Sequence, residues 1–168
     1  MMNPTNTQQP TSVTIAELRN IVGVELGPSA EEVITQERIN LFAEATGDWQ
    51  WIHTDPEKAA ATPAGSTIAH GFLVLSLIAG VNQQLLSIPD AASRLNYGLD
   101  RVRFPASVPV NSVLRGFTTL KSAESVRAGI QLKFEVRLEA EGITKPVCIA
   151  EFISLIPGAH LEPAEQPA

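Results

Sequence analysis

The sequence lacks the features that mark several classes of protein. It has a single cysteine, Cys148, which excludes an internal disulfide framework and a cysteine-rich zinc site. Its most apolar run covers only the ten residues 72–81, whereas a helix that spans a bilayer needs about 20. Twelve Lys and Arg stand against 18 Asp and Glu, and the net charge of −6 argues against non-specific binding to nucleic acid or to an anionic membrane.

The two ends of the chain are polar and contain proline. The first ten residues have neither the basic stretch nor the apolar core of a secretory signal, and we therefore expect a cytoplasmic protein. Residues 1–12 and 157–168 are predicted to be disordered tails. Between them, the 44% hydrophobic composition of this 168-residue chain suits one domain at 13–156.

Two capped helices frame a short connector in the first half of the chain. Thr35 is a favourable N-cap and Gly47 stands where a helix C-terminus needs glycine, so a helix is predicted over 35–46. Asp55 followed by Pro56 is typical of a second helix start. The seven residues between them, 48–54, are predicted to connect the two helices.

An apolar helix and a series of strands predict the fold class. No charged side chain lies between Lys58 and Asp90, and the helix of about fifteen residues that begins near residue 71 has no polar face over its first two turns, which predicts burial on all sides. Apolar and polar residues alternate over 130–139, as in a half-buried strand. Further strands are predicted at 94–104, 113–121 and 146–156 and within 21–33. This order predicts an α+β domain in which an antiparallel sheet wraps around the helix.

The connector carries two groups that can transfer protons, Asp48 and His53, with both tryptophans, Trp49 and Trp51, between them. Apolar surroundings and a nearby partner shift the pKa of a carboxyl or imidazole group toward values that are useful in catalysis. Such a short spacing is a weak motif by itself. The alternative, that Asp48 caps a turn and His53 is an ordinary polar residue, stays open on these residues alone.

A second segment, with His70 and Gly71, leads into the apolar helix. A glycine at a helix N-terminus presents an unobstructed N–H where the helix dipole favours negative charge, as an oxyanion hole requires. The alternative is that Gly71 serves only as a small residue at the helix start.

Asp48, His53 and His70 lack the spacing of a metal site, and neither a metal nor another cofactor is predicted. Cys148 is predicted to be a buried structural thiol.

Three segments carry a recognisable combination of motifs. They are FAEATGDWQWIHTDP at 42–56, IAHGF at 68–72, and NYGLDRVRFP at 96–105 followed by VPV at 108–110. Together they closely resemble the MaoC-like dehydratase family, also called hydratase 2, over about residues 35–156. Gln50 and Trp51 stand where many members have Asn-Pro, a variation that resembles the nodulation-protein-N-like branch.

The resemblance implies a hot-dog fold and the (R)-specific hydration of trans-2-enoyl-CoA or the reverse dehydration. It implies that Asp48 and His53 hold and activate the water, in an order that the sequence leaves open, and that the N–H of Gly71 binds the thioester oxygen. Some members carry a serine near the position of Ala79 to orient the aspartate, whereas Ser76 here lies one turn earlier. Seven residues are candidates for contacts with the acyl-CoA, the two arginines through its phosphates: Trp49, Gln50, His70, Phe72, Ser76, Arg101 and Arg103.

Two other functions compete with a hydratase. A hot-dog acyl-CoA thioesterase usually carries a carboxylate on its central helix, and this helix has none. A non-catalytic acyl-CoA-binding subunit would have lost Asp48 or His53, and both are present. We also predict a homodimer, because the edge of a wrapped sheet exposes unpaired donors and acceptors that a second copy can pair. The family resemblance implies the same assembly.

Overall fold

A computed structural model describes residues 9–162 of the chain. Its helices and strands are β1 (Thr11–Ser12), a 3-10 helix (Ile15–Ile21), β2 (Glu25–Leu26), β3 (Glu32–Val33), α1 (Gln36–Thr46), α2 (Trp51–Thr54), α3 (Pro56–Ala60), α4 (Gly71–Leu85), β4 (Leu86–Ser87), β5 (Leu95–Arg103), β6 (Val113–Val126), β7 (Gly129–Ala140) and β8 (Cys148–Pro157). The predicted α+β class, with consecutive strands after one long helix, is confirmed.

Six strands form one sheet in the order β2-β6-β7-β8-β5, with β3 also paired to β6, and every pairing in it is antiparallel. The alternation predicted over 130–139 is confirmed in β7. Its apolar residues are each at most 1% exposed, and they are Ile130, Leu132, Phe134, Val136 and Leu138. β5 forms one edge of the sheet, and its register with β8 shifts between Asn96 and Gly98. That irregularity is typical of a strand containing glycine.

α4 packs one face against β6, β7 and β8. It approaches β6 so closely that a Cβ at Gly116 would overlap the side chain of Val81. Its other face is open, since Phe72 is 69% exposed and Ser76 and Gly80 are also exposed. The prediction of a helix buried on all sides is therefore wrong for the single chain, because the sheet covers only one side of it. No helix within residues 9–162 is long and apolar enough to cross a membrane.

The caps predicted for the first two helices are confirmed. The Thr35 side chain accepts a hydrogen bond from the N–H of Arg38, and Gly47 ends α1 with a φ of 76°. The Asp55 side chain caps α3 in the same way. The connector between these two helices is not a loop throughout, because residues 51–54 form the helical turn α2. This turn carries His53 into the interior, where it is 7% exposed.

The inner parts of both predicted tails lie against the folded domain. Thr11 and Ser12 pair in parallel with β4. At the other end Leu161 is 9% exposed, and its N–H donates to the hydroxyl of Ser125. These inner tail residues thus contact the domain, and the domain bounds at 13 and 156 stay a prediction. The rest of the predicted tails, 1–8 and 163–168, lies outside the described residues, and the cytoplasmic location stays a prediction.

Candidate active site

The α2 turn, the start of α4 and the loop after β5 meet around a cleft of about 240 Å³. His53 and Gly71 both line it, together with Ile68, Phe104 and Val108. The loop is held there by the hydrogen bond from the N–H of Ala69 to the carbonyl oxygen of Val108. The cleft thus combines the two segments that the sequence singled out. Phe104 and Val108 were not predicted as site residues, although both belong to the motifs quoted at 96–105 and 108–110.

His53 is held in one orientation by a hydrogen bond to the backbone. Its Nδ1 lies 2.7 Å from the carbonyl oxygen of Ile68. Because a carbonyl oxygen only accepts, Nδ1 carries the proton, and Nε2 of the neutral ring is left as an acceptor. Burial lowers the pKa of His53, and the hydrogen bond to Ile68 and the Asp48 carboxylate only partly oppose this shift. The ring is therefore favoured in its neutral form, which can accept a proton.

Asp48 lies beside this imidazole on the exposed part of the connector. Its Oδ1 accepts a hydrogen bond from the N–H of Gln50 at 3.4 Å. One carboxylate oxygen of Asp48 and one ring nitrogen each of His53 and His70 lie within 4.8 Å of one another. A water molecule makes hydrogen bonds of about 2.8 Å, so a single water can bridge two groups at this separation. The fold therefore brings the predicted pair together.

His70 is the third member of this cluster. Its Nε2 donates to the backbone carbonyl oxygen of Asp48 at 2.9 Å, and its ring stacks on that of His53 with centroids 3.8 Å apart and planes 28° apart. One nitrogen of each ring donates to a backbone carbonyl oxygen, which leaves the other nitrogen of each ring as an acceptor. The absence of a metal stays a prediction.

Gly71 is the first residue of α4. Its N–H therefore has no acceptor within the helix and lies at the positive end of the helix dipole. The residue lines the cleft together with His53. A carbonyl compound bound in this cleft would have a backbone donor for a developing oxyanion on one side and the imidazole of His53 on another.

The other predicted substrate-binding residues lie outside the cleft of the single chain. Trp49 is 58% exposed and lines an open depression beside α1, and the adjacent Gln50 is exposed. Phe72 points outward, with its ring edge-on to that of Phe104. Ser76 lines a groove between α4 and β5, and its hydroxyl donates to the carbonyl oxygen of Leu73 within the helix. Ser76 therefore does not orient Asp48 in this structure.

The two predicted arginines extend from β5, and both are exposed. Arg101 lies 4.0 Å from the carboxylate of Glu151, and Nη1 of Arg103 donates to the carbonyl oxygen of Val102. Contacts of these arginines with phosphates stay a prediction.

Cys148 is fully buried, and burial raises its pKa to about 11. The expectation of a structural thiol agrees with this environment, because a thiol of such high pKa is a poor nucleophile.

The fold is that of a hot-dog enzyme of the hydratase and dehydratase class. A family model described as MaoC like domain matches residues 17–141. The sequence is 46% identical to 3-hydroxyacyl-thioester dehydratase Z of Mycobacterium tuberculosis over 141 residues, which are 83% of this chain and 93% of that protein. It is 39% identical to Nodulation protein N of Rhizobium leguminosarum over 158 residues, 92% and 96% of the two chains. The chain belongs to the MaoC-like domain family.

A solved structure supports the fold independently of close sequence identity. The unliganded R-hydratase of Pseudomonas aeruginosa superimposes with a TM-score of 0.67 at 24% identity, covering 88% of this chain and 90% of that one. The hot-dog fold implied by the sequence motifs is thereby confirmed. The resemblance to the family and to its nodulation-protein-N-like branch is confirmed as well.

Proposed function

We propose that the protein adds water to trans-2-enoyl-CoA to give (R)-3-hydroxyacyl-CoA, or catalyses the reverse dehydration. The observation that carries this proposal is that Asp48 lies beside His53, which lines the same cleft as Gly71. The relative from M. tuberculosis is named as a dehydratase of 3-hydroxyacyl thioesters, which supports the same class of substrate for this chain.

Hydration requires a hydrogen-bond donor to the thioester oxygen and two side chains that hold the water. As the water oxygen bonds to C3, negative charge moves to the thioester oxygen, where the N–H of Gly71 and the dipole of α4 stabilise it. Asp48 and His53 hold the water and accept its proton, and the pair returns a proton to C2, so no proton is consumed overall. The neutral His53 with Nε2 unprotonated is suited to accept that proton.

We further infer a homodimer that pairs the β5 edges of two copies. β5 is an edge strand, and three of its apolar side chains are well exposed: Leu95, Tyr97 and Leu99. Tyr97 and Leu99 adjoin the open face of α4, on which Phe72 is exposed too. A second copy would satisfy the free strand edge and cover this apolar face at once. It would also complete the burial of α4 that its apolar sequence predicts.

Incubation with crotonyl-CoA and with longer enoyl-CoA thioesters tests the function. Loss of the enone absorbance without release of thiol supports hydration. The product should be oxidised by an (R)-specific 3-hydroxyacyl-CoA dehydrogenase and not by an (S)-specific one. The Asp48→Asn/His53→Gln double variant is the matched control, and its activity should fall to background.

Two outcomes of that experiment would contradict the proposal. Release of free coenzyme A with no hydration would indicate the thioesterase, although α4 carries no Asp or Glu. Binding without turnover for all chain lengths would indicate the non-catalytic acyl-CoA-binding subunit.

A further inference from the structure

His70 has polar contacts that a simple core residue does not need. It is 2% exposed, and it does not belong to the lining of the cleft. It is nevertheless the residue that immediately precedes Gly71 in the chain. Its ring therefore extends from the helix start at which Gly71 lines the cleft.

The ring of His70 contacts both halves of the proton-transfer pair. Its Nε2–H donates to the backbone carbonyl oxygen of Asp48, 22 positions earlier in the chain. One face of the ring stacks on His53, and the Phe42 ring of α1 packs against it with centroids 5.1 Å apart. One side chain thus connects Asp48, His53 and the start of α4.

The two ring nitrogens of His70 differ in their contacts. Its Nδ1 is buried and has no hydrogen-bond partner among the described residues. Because the carbonyl oxygen of Asp48 only accepts, Nε2 carries a proton, and this is the nitrogen that donates to Asp48.

We infer that His70 is a positioning residue of the proposed hydratase, whose Nε2–H fixes Asp48 against His53 and the N–H of Gly71. The inference rests on the proposed function. It explains how Asp48 is held although it is exposed and the hydroxyl of Ser76 bonds within its own helix. Misplacement of a catalytic group by about 1 Å costs up to about 10²-fold in rate.

Two substitutions of His70 distinguish the role of its N–H donor from the role of the size of its ring. His70→Phe keeps an aromatic ring against His53 but removes the donor, and kcat should fall about 10- to 100-fold with KM within about twofold. In His70→Gln the side-chain amide can take the place of Nε2–H, and kcat should recover to within about fivefold of the wild type.

Asn82→Leu is the matched control, because Asn82 is a fully buried polar residue on α4 that bonds to Thr118, away from the cleft. Its stability should fall while its kcat, measured well below the melting temperature, stays unchanged.

NMR spectroscopy provides a readout that does not depend on activity. Long-range ¹⁵N–¹H spectra of the wild type should show His70 with its proton on Nε2 and His53 with its proton on Nδ1. The carbonyl ¹³C shift of Asp48 should move in His70→Phe and stay near the wild-type value in His70→Gln. A His70 ring without a proton on Nε2 would overturn the inference whether or not either variant folds.

The kinetic results can also refute the inference. Wild-type kcat in His70→Phe would overturn it, and so would equal losses in the Phe and Gln variants. If the wild-type protein hydrates no enoyl thioester, the proposed function fails, whereas the predicted NMR shifts would still establish that His70 holds Asp48 in place.

Discussion

The ring of Phe104 lies against the backbone of Gly71, and a Cβ placed on Gly71 would stand 3.2 Å from two atoms of that ring. Gly71 does not have a positive φ, so its backbone conformation does not require glycine. The absence of a side chain is instead what lets the Phe104 ring approach Gly71, so that both residues line the cleft. These two residues, 33 positions apart, thus define the place of the proposed oxyanion.

We predict that Gly71→Val lowers turnover by about 10²–10³-fold, because the added side chain displaces Phe104 and obstructs the N–H donor. Circular dichroism should show that α4 remains formed. Gly71→Ala in a Phe104→Ala background is the control, since removal of the ring makes room for the methyl group and should restore part of the activity. Normal turnover in a folded Gly71→Val protein would show that the oxyanion assignment is wrong.

Asp48→Asn and His53→Gln should each lower the rate of enoyl-CoA hydration by about 10²–10⁴-fold, since each removes one proton-transfer group. The double variant should lose little more, because groups that act as a unit are not additive. Steady-state kinetics of the three variants measure this. Full activity in Asp48→Asn with an unchanged melting curve would refute the mechanism.

The same two substitutions should differ in their effect on stability. Asp48 is exposed, so its replacement by Asn should leave the free energy of unfolding nearly unchanged. His53 is buried and donates to Ile68, so His53→Gln should cost about 1 kcal/mol. Urea denaturation of both variants measures the difference. Equal unfolding midpoints would contradict the buried, hydrogen-bonded position of His53.

The stability of the protein should decrease in mild acid through His53. Burial lowers the pKa of this residue from its ordinary value of 6.5, so the unfolded chain binds the proton first as the pH falls. The stabilising contribution is complete above pH 6.5 and is lost as the pH falls through the lowered pKa of the folded protein. From about pH 7 to about pH 5, the wild-type melting temperature should therefore fall more than that of His53→Gln. Parallel melting curves would contradict this.

Cys148 should not react with thiol reagents in the native protein. It is fully buried and burial raises its pKa to about 11, so little thiolate is present or accessible at neutral pH. Titration with a chromogenic disulfide should detect one thiol only after denaturation. Rapid labelling of the folded protein would show that the β8 region opens readily.

The wild-type protein should sediment at about twice its chain mass of 18.0 kDa. Tyr97→Asp should shift it toward the monomer, because the new charge would be buried between the β5 edges. Leu41→Asp is the matched control, since Leu41 is an exposed apolar residue on α1, away from β5, and its replacement should leave the dimer intact. A monomeric wild type at micromolar concentration, or a complex that forms only with a different chain, would contradict the homodimer.

Much of the fold was predictable because its signals are local. Thr35 and Gly47 bracket α1 through contacts within a few residues, and the alternation over 130–139 reports directly which side of β7 is buried. The position of Asp48 and His53 on one connector, and of Gly71 at a helix start, is likewise readable along the chain. The burial of His53 was not, because the α2 turn that produces it has no strong cap or periodic pattern.

The apolar sequence of α4 predicts that the helix is covered, but it does not identify what covers it. The chain's own sheet buries one face, and Phe72 and Ser76 remain exposed on the other. Composition is the same whether a helix packs on its own sheet or on a second subunit, so only the tertiary arrangement separates these cases.

The amino-acid order determined the helices, the strands and the residue types available for chemistry, because caps and periodicity act between neighbours a few positions apart. The tertiary structure alone decided that His70 holds Asp48 from 22 positions away and that Phe104 covers Gly71. Such contacts depend on how the loop after β5 and the connector before α3 pack onto the start of α4. No local pattern encodes that packing, since it depends on how all the buried surfaces of the fold fit together.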